Sequence, residues 1–169
     1  MRKLIVVALL VACTLLSACA SDAPGKTQQK IDVANLPKCF NALESLNIQA
    51  YRNQDWCKNI WYERGMFSDY TGEATTCNLF LGLPRPFDVQ TQTDFMTVAE
   101  AIGTTEVRLH YISNTAYDSD RKLTHAEFHL AACPCVYVYS PSYKDLPEDM
   151  PREVYSRINE DWYYIWMSY

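Results

Sequence analysis

Residues 107–130 read VRLHYISNTAYDSDRKLTHAEFHL and carry the clearest structural signal in the chain. Apolar and polar residues alternate on both sides of a polar stretch at 114–122, a pattern typical of a β-hairpin with a long loop. If the two apolar rows face each other, odd-numbered residues pair with even-numbered ones, for example His110 with His125. The pattern therefore predicts an antiparallel hairpin with one apolar and one polar face.

Shorter patterns outside this hairpin predict the remaining elements. We expect helices at 37–50, 55–62, 93–102 and 151–159, and strands at 77–83, 136–139 and 162–169. Thr93 or Asp94 is the expected N-cap of the third helix, and Gly103 its stop. This mixture predicts an α+β fold, in which an antiparallel sheet carries the N-terminal helices on one face and is stapled by disulfides.

Composition limits the class of protein. The chain has 169 residues, of which 49% are hydrophobic and 13% aromatic, so it has enough apolar surface to form a core. The 15 basic and 20 acidic residues give a net charge of −5, which argues against a nucleic-acid partner.

The N-terminus reads as a processing signal. Arg2 and Lys3 precede an apolar run at 4–16, which is shorter than the about 20 residues that span a bilayer. The run ends in Leu16-Ser17-Ala18-Cys19, and this motif resembles the lipobox of bacterial lipoprotein precursors. A second match ends at Cys13, but it would leave a very short apolar core. The resemblance covers the signal alone and implies that Cys19 becomes the lipid-modified first residue after removal of residues 1–18.

The resemblance also implies a location. Ala20, rather than Asp, follows Cys19, which in enterobacterial lipoproteins favours the outer membrane, and we expect the chain on its periplasmic face. We expect residues 19–35 to be the lipidated Cys and a flexible tether, and residues 36–169 to be one globular domain. Loss of Arg2 and Lys3 leaves 13 basic against 20 acidic residues, a net charge of −7. The lipid, rather than the overall charge, would then hold the protein at the membrane.

The cysteines predict disulfides, because an exported domain meets an oxidising compartment. Without Cys13 and Cys19, five candidates remain: Cys39, Cys57, Cys77, Cys133 and Cys135. We favour Cys39 with Cys57, and Cys77 with Cys133 or Cys135; a bridge between Cys133 and Cys135 would close a tight and labile ring across Pro134.

The three histidines form the one group with potential for metal chemistry. In the predicted hairpin, His110, His125 and His129 share the polar face with Glu127, and such a set could hold a divalent metal. Arg108 would lie inside this site and repel a cation. We therefore favour a structural polar face and expect no cofactor, with metal binding as an alternative.

Aromatic residues suggest a recognition surface. The tail 162–169 reads WYYIWMSY, and its candidate partner-binding residues are Trp162, Tyr164 and Trp166, unless the strand is central and covered on both faces. We find no nucleophile triad and no phosphate-binding loop. The sequence thus favours a non-enzymatic, lipid-anchored protein that binds a protein partner in the envelope, in an assembly or immunity-type role. The alternatives are a glycan- or peptidoglycan-binding module and the metal-binding protein.

Overall fold

The computed structural model describes residues 23–69 and 82–168. Within these ranges the helical elements are α1 (Lys26–Asn35), a 3-10 turn (Leu36–Cys39), α2 (Phe40–Leu46) and α3 (Val89–Gly103). The strands are β1 (Ala50–Gln54), β2 (Cys57–Tyr62), β3 (Gly65–Ser68), β4 (Arg85–Pro86), β5 (Leu109–Tyr117), β6 (Leu123–Leu130), β7 (Cys135–Tyr139), β8 (Glu153–Arg157) and β9 (Trp162–Met167). The predicted strand at 77–83 lies largely outside the described residues.

These strands form one sheet in the order β4-β3-β2-β1-β5-β6-β7-β9-β8. Neighbouring strands pair antiparallel throughout, apart from the parallel pair β3 and β4. The predicted α+β class with an antiparallel sheet is confirmed.

The helices cover one face of the sheet, which we call the helix face. Register aligns a buried row across five neighbouring strands: Ile60, Tyr51, Ile112, Phe128 and Tyr137. Phe40 of α2 packs against Phe128, with ring centroids 6.2 Å apart, and Phe95 of α3 stacks on Tyr51 at 4.8 Å. Burying these rings removes apolar surface from water, which stabilises the layer arrangement.

The segment predicted as a flexible tether is helical from Lys26 onward. Val33 and Leu36 are buried, at 3% and 0% exposure, and the Asp32 carboxylate accepts a 2.7 Å hydrogen bond from the Tyr137 hydroxyl. Helix α1 thus belongs to the folded domain, which therefore begins before the expected start at residue 36.

Two further predicted helices are strands. Residues 57–62 form β2, in which Ile60 and Tyr62 enter the core from one face while Cys57 and Asn59 are buried on the other. A strand buried on both faces loses its polar alternation, so its apolar spacing imitates a helix. Residues 153–157 form β8 at the edge of the sheet, where the predicted helix at 151–159 is wrong.

The remaining helices differ from prediction at their ends. Helix α2 ends at Leu46, because Asn47 adopts a left-handed conformation with φ 51°, which stops the helix well before residue 50. Helix α3 begins at Val89 rather than near residue 93, and its N-cap is Asp88, whose carboxylate accepts a 2.6 Å hydrogen bond from the Thr91 N–H. Its predicted end at Gly103 is confirmed.

The hairpin at 107–130 is present as β5 and β6, but its register differs from the predicted one. Ile112 pairs with Phe128 and Tyr111 with His129, whereas His125 pairs with Ala116 rather than His110. Irregularities between Leu109 and Tyr111, and between Ser113 and Ala116, insert extra residues into β5. A bulge turns the following side chains to the opposite face, so Tyr111 leaves the apolar row.

The cysteines pair differently from the favoured scheme. Cys133 and Cys135 form a disulfide with each other, which excludes a bridge from either of them to Cys77. Cys39 is free and buried, and its thiol donates to the Leu36 carbonyl oxygen at 3.1 Å, so the pairing of Cys39 with Cys57 is wrong. Cys57 is disulfide-bonded. Cys19 and Cys77 lie outside the described residues.

Candidate functional site

The sheet face opposite the helices, which we call the second face, carries polar, aromatic and aliphatic side chains. Strand alternation and register place there Tyr111 and Ser113 of β5, Glu127 and His129 of β6, Val136 and Val138 of β7, Tyr163 and Ile165 of β9, and Tyr155 and Arg157 of β8. Val136 and Val138 are 2% and 0% exposed. The second face is therefore not the plain solvated surface that a polar hairpin face predicts.

His129 lies at the centre of the part of this face that β5 and β6 form. Its Nε2 atom lies 3.0 Å from the Ser113 hydroxyl and 3.3 Å from Oε2 of Glu127. The Tyr111 ring stacks on the imidazole at 3.8 Å, and the Arg52 guanidinium lies 4.9 Å from the centroid of the Tyr111 ring. Only 13% of the His129 side chain is exposed, so these contacts fix the imidazole in one orientation.

The electrostatics of this cluster favour an ionised Glu127. Burial acts to raise the pKa of Glu127, but hydrogen bonds from His129 and Asn114 and the charges of His129 and His125 outweigh it and lower the pKa. For His110, burial and then the positive charges of Arg52 and His129 lower the pKa, which favours its neutral form.

The geometry around His129 differs from that of a nucleophile relay. In such a relay the serine contacts one imidazole nitrogen, while the carboxylate contacts the other and orients the ring. Here Ser113 and Glu127 both contact Nε2. The arrangement holds the imidazole in place and presents a fixed polar group, which suits recognition better than activation of a hydroxyl.

Tyrosines form the part of this face at β8 and β9. The Tyr163 ring contacts two other tyrosine rings: the Tyr143 ring lies 5.2 Å away at an angle of 63°, and the Tyr155 ring 6.3 Å away at 45°. The guanidinium of Arg157 lies 4.9 Å from the centroid of the Tyr143 ring. Burial raises the pKa of Tyr163, and the negative charge of Glu127 raises it further. Tyr163 and Glu127 are therefore close enough to interact. We call Tyr143, Tyr155, Tyr163 and Arg157 the tyrosine cluster.

The structure places the predicted partner-binding residues elsewhere. Trp162 and Tyr164 are 3% and 6% exposed and point to the helix face, where Trp162 packs against Phe40, Phe128 and Tyr139. Both are core residues, so the prediction is wrong for them, and Trp166 is only partly buried against that core. The alternate residue Tyr163, which sequence reasoning missed, faces outward. Alternation along 162–167 separates Tyr163 from Trp162 and Tyr164, but it does not tell which of the two sets faces outward.

The structure does not bring the three histidines together as the metal hypothesis requires. His129 lies in the cluster just described, His110 lies at a bulge of β5, and His125 pairs with Ala116. Within 23–69 and 82–168, no three His, Cys, Asp or Glu side chains are placed so that they could hold a metal ion.

The outer edge of the sheet at β8 is partly capped. The Tyr155 N–H donates to the Asp149 carboxylate at 2.8 Å, and Glu153 exchanges two 3.0 Å backbone hydrogen bonds with Met150. These bonds use groups that an added strand would need. A partner at this end would meet side chains, including Val154, which is 52% exposed.

Comparison with protein-family models, with curated proteins and with solved structures found no significant match. In the part of the chain that the structure describes, no helix is both long and apolar enough to span a membrane.

Proposed function

We propose that this chain is a lipid-anchored lipoprotein of the bacterial cell envelope that binds a protein partner through the tyrosine cluster of its second face. The observation that carries the binding part is that Tyr143 and Tyr155 both pack against Tyr163, on the sheet face opposite the helices. Tyrosine combines a large apolar ring with a polar tip and loses little conformational entropy on binding, which is why interfaces are enriched in it.

The neighbouring groups fit such a role. Arg157 is exposed and rests on the Tyr143 ring, and arginine is the charged residue that interface centres favour. Ionised Glu127 and fixed His129 add polar groups beside the rings. Because Ser113 and Glu127 share one imidazole nitrogen, we propose binding rather than catalysis for this face.

The anchor rests on the sequence. The motif at residues 16–19 supports lipidation of Cys19, and Ala20 supports the outer membrane, with the domain on the periplasmic side. An envelope-assembly protein or a secreted toxin that this protein neutralises would be a suitable partner class.

Site-specific photo-crosslinking in living cells tests the partner. A photoreactive phenylalanine replaces Tyr155 in the full chain, and the matched control replaces Trp56, which is 53% exposed at the β1–β2 turn. We expect a discrete protein adduct from position 155 that is absent from position 56 and lost when Tyr163 is replaced by Ala. Identical adducts from both positions, or none from position 155, would refute the tyrosine cluster as the binding surface.

A glycan or peptidoglycan fragment is the second candidate ligand, since partly exposed aromatic rings beside polar groups also bind sugars. Calorimetric titration of the purified protein with soluble peptidoglycan fragments tests it. Saturable heat that Tyr163→Ala abolishes and Trp56→Ala preserves would favour the glycan over a protein partner. Absence of saturable heat would remove the glycan.

A further inference from the structure

The outward side of α1 differs in charge from the rest of the chain. Its exposed residues include Lys26, Lys30 and the half-exposed Ile31, and together with Thr27 and Ala34 these residues line one groove. We call the residues Lys26, Lys30, Ile31 and Ala34 the basic face.

The one acidic residue of α1 does not offset these lysines from the same side. Asp32 is 9% exposed, points toward the sheet and binds the hydroxyl of Tyr137. The Gln28 amide donates to its second carboxylate oxygen at 2.6 Å. The basic face therefore carries two positive charges and no carboxylate, in a chain whose net charge is −5.

The position of this face along the chain matters as much as its charge. Only residues 20–25 separate Cys19 from the start of α1. Seven peptide steps span at most about 25 Å, so a lipidated Cys19 would keep Lys26 within that distance of its own anchor point. A basic helix held that close to a bilayer has a high effective concentration at the lipid headgroups.

From charge and tether length we infer that the basic face of α1 docks on an anionic phospholipid surface, so that the domain lies against the membrane in one orientation. This inference rests on the proposed lipid anchor. Each lysine near an anionic leaflet strengthens the contact about fivefold, and Ile31 adds an apolar contact at the level of the headgroups. The docking is electrostatic, so salt weakens it.

The test uses the full-length, membrane-extracted lipoprotein, labelled with an environment-sensitive fluorophore at Ala34→Cys. Cys39 is 0% exposed and does not compete for the label under native conditions. The control label sits at Ser119→Cys, an exposed position in the β5–β6 loop. Both proteins are reconstituted into phosphatidylcholine vesicles with and without phosphatidylglycerol, and intact mass reports the acyl chains on Cys19.

We expect a blue shift and protection from a soluble quencher for the label at position 34, only with phosphatidylglycerol and only at low salt. The double variant K26Q/K30Q should lower the ratio of docked to undocked protein about 30-fold. The matched variant K144Q/R152Q, which removes two charges elsewhere, should leave that ratio unchanged.

Acylated protein in which both labels respond alike, or in which phosphatidylglycerol has no effect, overturns the docking and leaves the anchor standing. Protein without acyl mass on Cys19 overturns the anchor, and the docking with it.

Discussion

The hydrogen bond between Tyr137 and Asp32 should hold α1 on the sheet. It joins residues 105 positions apart, is 2.7 Å long and is buried, because the two residues are 0% and 9% exposed. Hydrogen bonds to charged groups contribute about 1.5–3 kcal/mol. In Tyr137→Phe the Gln28 amide still donates to Asp32, so the carboxylate keeps one partner, and we expect a loss near 2 kcal/mol in the free energy of unfolding.

Urea unfolding at neutral pH measures this loss, and Tyr164→Phe is the matched control. Tyr164 is 6% exposed, packs at 5.8 Å from the Tyr137 ring, and its hydroxyl has no hydrogen-bond partner among the described residues. Removing that hydroxyl should cost nothing or stabilise slightly, because it removes an unsatisfied polar group. Equal effects of the two substitutions would refute the reasoning. So would unchanged hydrogen exchange in α1 of Tyr137→Phe.

Three further predictions concern burial and charge. Burial raises the pKa of Cys39 to about 12, so iodoacetamide should leave it unmodified in the native protein and alkylate it in denaturant; peptide masses that show native alkylation would contradict this. Trp162→Ala should lower the free energy of unfolding by about 3–5 kcal/mol, and exposed Trp56→Ala by less than about 0.5 kcal/mol; similar urea midpoints would contradict the assigned burial. The pKa of Glu127 is lower in the folded protein than in the unfolded chain. As the pH falls, the unfolded chain therefore binds a proton at this residue first, and the free energy of unfolding decreases. Glu127→Gln should flatten the dependence of the urea midpoint on pH between about 6 and about 3, and an unchanged slope would contradict it.

The sequence predicted the fold class and the central hairpin, but not how its strands pair. Alternation around 107–130 locates β5 and β6, since a half-buried antiparallel strand must alternate. The register depends on bulges, one of them at Asn114 with φ 50°, and a bulge leaves no periodic signal in one sequence. The irregularity between Leu109 and Tyr111 determines whether Tyr111 faces the core or stacks on His129.

Helix α1 and the tyrosine cluster were harder to predict from the sequence than the hairpin. The apolar residues of α1 that enter the core are few, and a contact between a carboxylate and a tyrosine distant in sequence fixes it, so its sequence looks like a linker. In residues 162–167, apolar and aromatic side chains occupy both faces, so composition alone does not separate the core Trp162 from the outward Tyr163. The distinction depends on which face of the sheet the helices cover.

The two proposed surfaces are compatible because they lie on opposite sides of one sheet. Helix α1 packs on the helix face, through Asp32 and Tyr137, whereas the tyrosine cluster occupies the second face. If the basic face of α1 lies on the bilayer, the sheet stands between the membrane and Tyr163. The tyrosine cluster then points away from the lipid, where a periplasmic partner can reach it. Loss of docking in K26Q/K30Q should therefore leave crosslinking at position 155 possible but less uniform in orientation, whereas Tyr163→Ala should remove crosslinking and leave docking intact.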